Sequence, residues 1–321
     1  MNKTVTAPTT LIGAVKYFAD PDASLAFLAA LRWPDGVPVC PRCDSKETSF
    51  LSTRRIWKCK GCHKQFSVKL GTIFEDSPIG LDKWLPAVWM LVNAKNGISS
   101  YELHRALGVT QQTAWFMLHR IRLAMQSRTF SRFKGSVEAD ETFIGGKSKF
   151  MHYAKRKRVV KGRGQYKSGK AAVVGLLERH GLDKSHSIVR LNVIPNTKKG
   201  HTREWVRQGV EAGSSVYTDA LPSYRGLDRD YVHGVIDHAE AYAKGEIHTN
   251  GLENFWSLLK RAIKGTCVSV EPFHLFRYLD EQAYRFNNRK TKDVARFIDA
   301  LLGIVGKRLT YKQLVGAAGL A

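Results

Sequence analysis

Apolar and polar residues change their period along this chain, and the changes mark out its elements. From Leu81 to about Ala94, in LDKWLPAVWMLVNA, apolar residues recur at helical spacing, which predicts a helix ended by Asn96-Gly97. The stretch ISSYELHRALGVTQQTAWFMLHRIRLAM then has a helix-turn-helix rhythm. Ser99 or Ser100 caps its first helix, Gly108 makes the turn with Val109 packed at it, and Thr110 caps a second helix from Gln111 to about Met125. After Ser136 the period shortens to two: SVEADETFIG sets Val137 and Ala139 against Glu138 and Asp140, as a half-buried strand does. AAVVGLLER and SIVRLNVIPN predict two more strands, and TREWVRQGVEAG a helix. SSVYTDALPSY predicts a short strand ending at Asp219, and DYVHGVIDH a fifth. The helical period returns in HTNGLENFWSLLKR. Leu252, Phe255, Leu259 and Ile263 form its apolar stripe, while Glu253 and Lys260 stand about two turns apart on an adjoining one.

This order predicts a mixed α/β sheet covered by helices. Asp140 falls in its first strand, Asp219 at the end of its fourth, and Glu253 in the helix that follows the fifth. The three acids are placed to converge at one end of the sheet, where open α/β folds hold ligands. Glu138 shares the strand face of Asp140, and Glu141 points the other way. Glu138 then either supports the acids from behind or is edge polarity. Asp237 and His238 read as capping or hydrogen-bonding groups. His248 and Asn250 read as supporting or capping groups, with direct substrate contact as the alternative. Trp256 either packs into the core or stacks on a base.

Charge narrows the partners. Lys and Arg number 51 against 28 Asp and Glu, for a formal net charge of +23. Such an excess faces a polyanion or costs self-repulsion. Nucleic acid is the leading partner, with a membrane surface as the other polyanion. Apolar runs such as Ala171 to Leu177 are far short of the ~20 residues that span a bilayer. The N-terminal stretch MNKTVTAPTTLIGAVKYF lacks the apolar core of a secretory signal. The expectation is a soluble, cytoplasmic protein with no membrane partner.

From Lys147 to Lys170 there are ten basic residues and no acids. This segment is expected to be a mobile loop between two strands, with Lys155, Arg156, Lys157 and Arg158 tracking a phosphate backbone. Gln111, Gln112 and Thr113 open the second helix of the helix-turn-helix, where side chains reach base edges. A three-helix packing unit with no DNA contact shows the same rhythm.

Four of the five cysteines form two CxxC pairs, Cys40 with Cys43 and Cys59 with Cys62, with fifteen residues between the pairs. That is zinc-ribbon spacing, and four thiolates make a closed, structural Zn2+ site. The segment between the pairs alternates enough for a hairpin. His63 is expected to be a bystander and Cys267 a packing residue. Arg54, Arg55, Lys58, Lys60 and Lys64 make the ribbon either a DNA contact or a solvated basic face.

LRWPDGVPVCPRC, VEADETFIGGK, VYTDALPSY, HTNGLENFWSLLKR and the ending YRFNNRK…LTYKQLVG resemble bacterial insertion-sequence DDE-type transposases with an N-terminal zinc ribbon. The resemblance runs over nearly the whole chain. It implies a catalytic core similar to ribonuclease H and a triad at Asp140, Asp219 and Glu253. Lys260 matches the basic residue seven positions after the last acid. It divides the chain into a helical lead-in (1–33), a zinc ribbon (34–76), a helix-turn-helix domain (77–128), the ribonuclease H-like domain (129–290) and a C-terminal helical tail (291–321). The implied chemistry is two-metal phosphoryl transfer with Mg2+ or Mn2+ held by the triad. The implied partners are double-stranded transposon ends and target DNA, worked on by a homodimer or larger assembly. Two alternatives stay open: a non-catalytic DNA-binding regulator, and a ribonuclease H-like nuclease with no joining step.

Overall fold

The computed structural model describes residues 7–126, 131–146, 148–160, 162, 169–180, 186–236 and 245–316. The chain divides into two units, Met1–Gln126 with Thr291–Ala321, and Ser127–Lys290.

In the first unit, Thr10 caps helix α1 (Leu11–Phe18), and Asp20 with Pro21 opens α2 (Pro21–Arg32). They pack with α3 (Leu81–Asn93) and α10 (Asp293–Leu302) around Phe18, Phe27, Trp89 and Phe297, whose ring centroids lie 5.0 to 6.0 Å apart. The ribbon is an antiparallel hairpin of β1 (Thr48–Leu51) and β2 (Ile56–Cys59), to which β3 (Gln65–Phe66) adds. Trp33, Trp57 and Phe66 pack behind it. Helices α4 (Ser100–Leu107) and α5 (Gln111–Ala124) follow. Ser99, not Ser100, caps α4, in a reciprocal pair with Glu102. Gly108 takes the left-handed conformation at the turn (φ 59°), and the Thr113 amide donates to the Thr110 hydroxyl at 3.1 Å.

The late segment of the chain is helical at α10 and at α11 (Tyr311–Leu314), and Phe297, Leu301 and Leu314 are buried. It closes along α5: Arg120 Nε donates to the Leu309 carbonyl at 3.0 Å and Lys307 Nζ to the Leu123 carbonyl at 2.8 Å. Gly303 has no room for a side chain, since a Cβ there would meet the Ala124 carbonyl oxygen at 2.3 Å.

The second unit is built on a five-stranded sheet: β4 (Ser136–Ile144), β5 (Ala171–Glu178), β6 (Ile188–Ile194), β7 (Ser215–Asp219) and β8 (Val232–Ile236), in the order β6-β5-β4-β7-β8. The first three strands run antiparallel in a meander, while β7 joins β4 in parallel after a crossover through α7 (Lys199–Gly209) and β8 pairs in parallel with β7. This mixed sheet with helices is a ribonuclease H-like core. On one face, α8 (Asn250–Ala262) and α9 (Leu275–Asn287) bury Leu252, Phe255, Leu259 and Ile263 against Val173 and Leu177. On the other, Val206 of α7 packs with Val137, Ala139 and Leu176. Strand alternation therefore turns Glu138 and Asp140 toward α8.

The basic segment expected as a loop contains a helix, α6 (Tyr153–Val159), with a backbone bond from the Arg156 amide to the His152 carbonyl. Its run of Ala, Lys and Arg consists of good helix formers, so a high charge density of one sign does not prevent a short helix. Lys147, Lys161, Arg163 and Lys167 lie outside the described residues. Among the described residues, no helix is long and apolar enough to cross a membrane.

Candidate active site

The hydrogen-bonded pairing of β4 with β7 runs to Ala139 opposite Thr218. Asp140 and Glu141 follow at once on β4, and Asp219 is the last residue of β7. The sheet thus brings together residues 79 positions apart in the chain. Asp140, Glu141 and Asp219 each offer a carboxylate oxygen, all within 4.8 Å of one another. Each carboxylate has further partners. Asp140 accepts the Glu141 amide at 2.8 Å on one oxygen and the Trp256 indole N–H at 2.8 Å on the other. Asp219 accepts the Leu221 amide at 3.1 Å. Glu141 accepts the hydroxyl of buried Tyr224 at 2.8 Å.

Crowding and burial leave their mark on the protons. Burial pushes the Asp140 carboxyl up to about 6, and the charges of Asp219 and Glu253 push it the same way against the Trp256 bond. Burial, with Asp219 and Asp140 nearby, pushes Glu141 up to about 8. Burial holds Lys260 below the usual lysine range, against the pull of Asp140 and in company with Lys264 and Lys170.

Glu253 stands outside the cluster of three. It is exposed in the first turn of α8, with the Thr249 hydroxyl donating to it at 3.4 Å, and it reaches Asp140 through its charge. Glu141 was missed by face-counting. It does point away from α8, but it lies beyond the last pairing with β7, where both faces of β4 open onto Asp219. Trp256 does not stack on a base: it is buried, and its N–H is spent on Asp140. Room for its ring comes from Gly175, directly opposite Asp140 in the sheet, where a Cβ would lie 2.7 Å from the indole. An isolated glycine within AAVVGLLER was the available signal for that close approach.

Glu138 is buried and ion-paired with Arg179 at 2.8 Å, and it accepts the Leu252 amide at 2.9 Å. The His248 ring nitrogen Nδ1 accepts from Arg179 at 2.8 Å. Asn250 is exposed as the first residue of α8. Asp237 and His238 lie outside the described residues.

In the ribbon the thiols meet as the spacing requires. Cys40 Sγ lies 3.7 Å from Cys62 Sγ, Cys43 Sγ lies 3.5 Å from Cys59 Sγ, and all four fall within 4.8 Å. A tetrahedron with Zn–S bonds of ~2.3 Å has edges of ~3.8 Å, so the set fits zinc. The Cys62 amide donates to Cys59 Sγ at 3.5 Å and draws that thiol down to about 6, toward the thiolate a metal needs. His63 is exposed and not part of the set. Arg54, Lys58, Lys60 and Lys64 are exposed, while Arg55 is paired with Asp22 at 2.5 Å.

The three residues expected to read bases all have partners within the first unit. Gln111 donates to Ser100 at 2.8 Å, Gln112 to the Tyr311 hydroxyl at 2.7 Å, and the Thr113 hydroxyl meets that of Thr110 at 2.8 Å. On α6, the side chains of Arg156 and Lys157 are exposed; those of Lys155 and Arg158 lie outside the described residues.

A ribonuclease H-like sheet that gathers carboxylates at one end, in a chain that also carries a thiolate ribbon, defines the class: a zinc-ribbon protein of the DDE transposase type. Comparison with known proteins agrees. Residues 132–287 match the ISXO2-like transposase domain and residues 20–65 the transposase zinc-ribbon domain. An uncharacterized protein in transposable element ISH50 of Halobacterium salinarum is 28% identical over 261 residues, covering 77% of this chain and 84% of that protein. An uncharacterized transposase-like protein of Haemophilus influenzae is 34% identical over 112 residues, covering 34% of this chain and 89% of that protein. The chain belongs to the insertion-sequence transposase family with an ISXO2-like domain and a zinc ribbon.

Proposed function

We propose that the chain cuts DNA at the ends of its insertion sequence and joins the freed ends to target DNA by metal-dependent phosphoryl transfer. The observation that carries this reading is the meeting of Asp140, Asp219 and Glu141 within 4.8 Å, with Glu253 close enough in charge to raise Asp140. The donors are carboxylates, with no thiolate or imidazole among them, which suits Mg2+ or Mn2+. Asp140, Asp219 and Glu253 would hold two ions, and Glu141 is a fourth carboxylate at hand. When bound, such a pair activates the attacking oxygen and stabilises the leaving oxygen of an in-line displacement.

The residues of the chain supply position and charge. The Trp256 N–H and the Glu141 amide each hold one oxygen of Asp140, so the carboxylate keeps one orientation. Lys260, drawn toward Asp140, offers an ammonium to the DNA phosphates beside the acids. The start of α5 and the basic α6 supply end recognition and backbone contact. The ribbon thiolates hold Zn2+ as a structural ion. Joining two ends requires at least two copies of the chain in the working complex.

The test is a duplex bearing one element end, incubated with Mg2+. Wild type cleaves at the end, and Asp219→Asn binds the same duplex but leaves it whole. A pre-cut end with a free 3′-hydroxyl separates the alternatives, because a transposase joins it to a target plasmid and a simple nuclease does not. Wild-type binding without cleavage would leave the regulator.

A further inference from the structure

Two charged side chains behind the acids have no part in the chemistry proposed above, yet they form a deeply set ion pair. The Glu138 side chain is 1% exposed and that of Arg179 is 13% exposed. We infer that Glu138 and Arg179 form a positioning pair that fixes the N-terminus of α8 and so sets where Glu253 stands. This rests on the reading of Asp140, Asp219 and Glu253 as metal ligands.

Helix α8 begins without a side-chain cap of its own, since Thr249 makes no capping bond. Its first turn is capped instead from the sheet. Glu138 on β4 accepts the Leu252 amide at 2.9 Å, one residue before Glu253. A carboxylate there satisfies an amide with no partner inside the helix and meets the positive end of the helix dipole. Gly251 lets the carboxylate lie against the turn, since a Cβ at 251 would sit 2.9 Å from its oxygen.

Arg179, at the end of β5, then ties down the approach to the helix. Its Nε pairs with Glu138 at 2.8 Å, while its other nitrogens donate to the Glu246 and His248 carbonyls, each at 2.7 Å. Its guanidinium lies over the Tyr217 ring at 4.5 Å from the centroid. Burying this pair costs several kcal/mol of desolvation that an apolar pair would avoid. What an apolar pair could not do is accept the Leu252 amide and hold residues 246–248 at once.

The helix is therefore pinned to β4 twice: Leu252 to Glu138 and Trp256 to Asp140. Glu253 lies between the pins. Removing the first pin leaves α8 packed by Leu252, Phe255 and Leu259 but frees its first turn to shift relative to Asp140.

The experiment titrates Mn2+ into the full-length protein, followed by electron paramagnetic resonance, alongside end-cleavage kinetics. Thermal melting of each variant checks folding. Glu138→Gln is expected to weaken Mn2+ binding about tenfold and to lower kcat about tenfold, with KM for the DNA end unchanged. Glu253→Gln should weaken Mn2+ comparably, and the double variant should be no weaker than Glu253→Gln alone. Arg179→Lys keeps the charge opposite Glu138 but loses the carbonyl bonds, so it should show a smaller loss of the same kind. It is the arm to read if Glu138→Gln does not fold.

A folded variant of either residue that melts earlier yet binds Mn2+ and cleaves like wild type overturns the proposal, because the pair is then only structural. Additive losses in the double variant also overturn it, because Glu138 would then act by a route other than Glu253. If Asp140→Asn and Glu253→Gln themselves bind Mn2+ like wild type, the reading of the acids has failed and the proposal falls with it.

Discussion

The ribbon and the carboxylate cluster are both places where like groups are forced together, and they are built in opposite ways. The four thiols come from 23 consecutive residues, Cys40 to Cys62, and two tight knuckles bring them into a tetrahedron. The acids come from β4, the end of β7 and, at the edge, the first turn of α8, so only a completed sheet gathers them. A closed set of soft donors can be written into local spacing. A set gathered from separate strands at the end of a sheet is written into topology. The first is expected to fail alone when damaged, and the second to fail without harming the fold around it.

The largest effect tests the second half of that contrast. Asp140→Asn should reduce end cleavage by on the order of 10³-fold or more while the second unit melts no earlier than wild type. Melting earlier would mean that the acid is structural.

Next comes the ribbon. Cys59→Ser should lose tight zinc, measured by metal analysis after dialysis, and weaken end binding by about 100-fold or more, since structural zinc supplies ribbon folding energy. The isolated second unit provides no control here. The readout is instead a surviving melting transition in the full chain, and its loss would show that the two regions are not independent.

A smaller effect follows from pH. Asp140 at about 6 and Glu141 at about 8 are raised above their ordinary values, so the folded state binds protons that the unfolded state has already released. Without divalent metal, stability should therefore be greatest below pH 4 as far as these groups are concerned, and should fall as pH rises from about 4 toward 8. Mn2+ should reverse the loss most strongly near pH 8, where protons no longer compete. Melting temperatures at pH 5.5 and 8, with and without Mn2+, check the sign; a Mn2+ gain larger at pH 5.5 would contradict it.

The smallest effect is at Gly175. Alanine there would drive the Trp256 ring away from Asp140 at a cost of about 1–3 kcal/mol. Mn2+ binding should weaken while zinc content stays fixed. Equal loss of both metals would erase the distinction between the two sites.

Much of this was legible in the chain. The CxxC spacing named the ribbon and the four thiols that meet in it because a knuckle needs only neighbouring residues. Caps at Ser99 and Thr110 and the alternation through Val137 and Ala139 located elements because those signals are also local. Asp140 and Asp219 were placed at one sheet end by strand order. What escaped notice depended on where ladders stop and on what fills the gaps. Glu141 joins the acids because pairing with β7 ends one residue before Asp140. Trp256 becomes a hydrogen-bond donor because Gly175 is vacant opposite Asp140. Arg179 matters through backbone carbonyls at positions 246 and 248, which no side-chain pattern announces. The helix α6 was hidden by its charge.

Residues 291–314 belong to the same unit as residues 7–126, with the whole second unit between them in the chain. A ribosome must therefore finish the second unit before Phe297 can reach Phe27 and Trp89, or Leu309 can give Arg120 its carbonyl. A product cut short in the sheet carries both α4 and α5 but not the parts that close over them. Such a fragment leaves Arg120 without the Leu309 carbonyl, and Phe27 and Trp89 without the Phe297 ring, so the first unit is finished only when translation is.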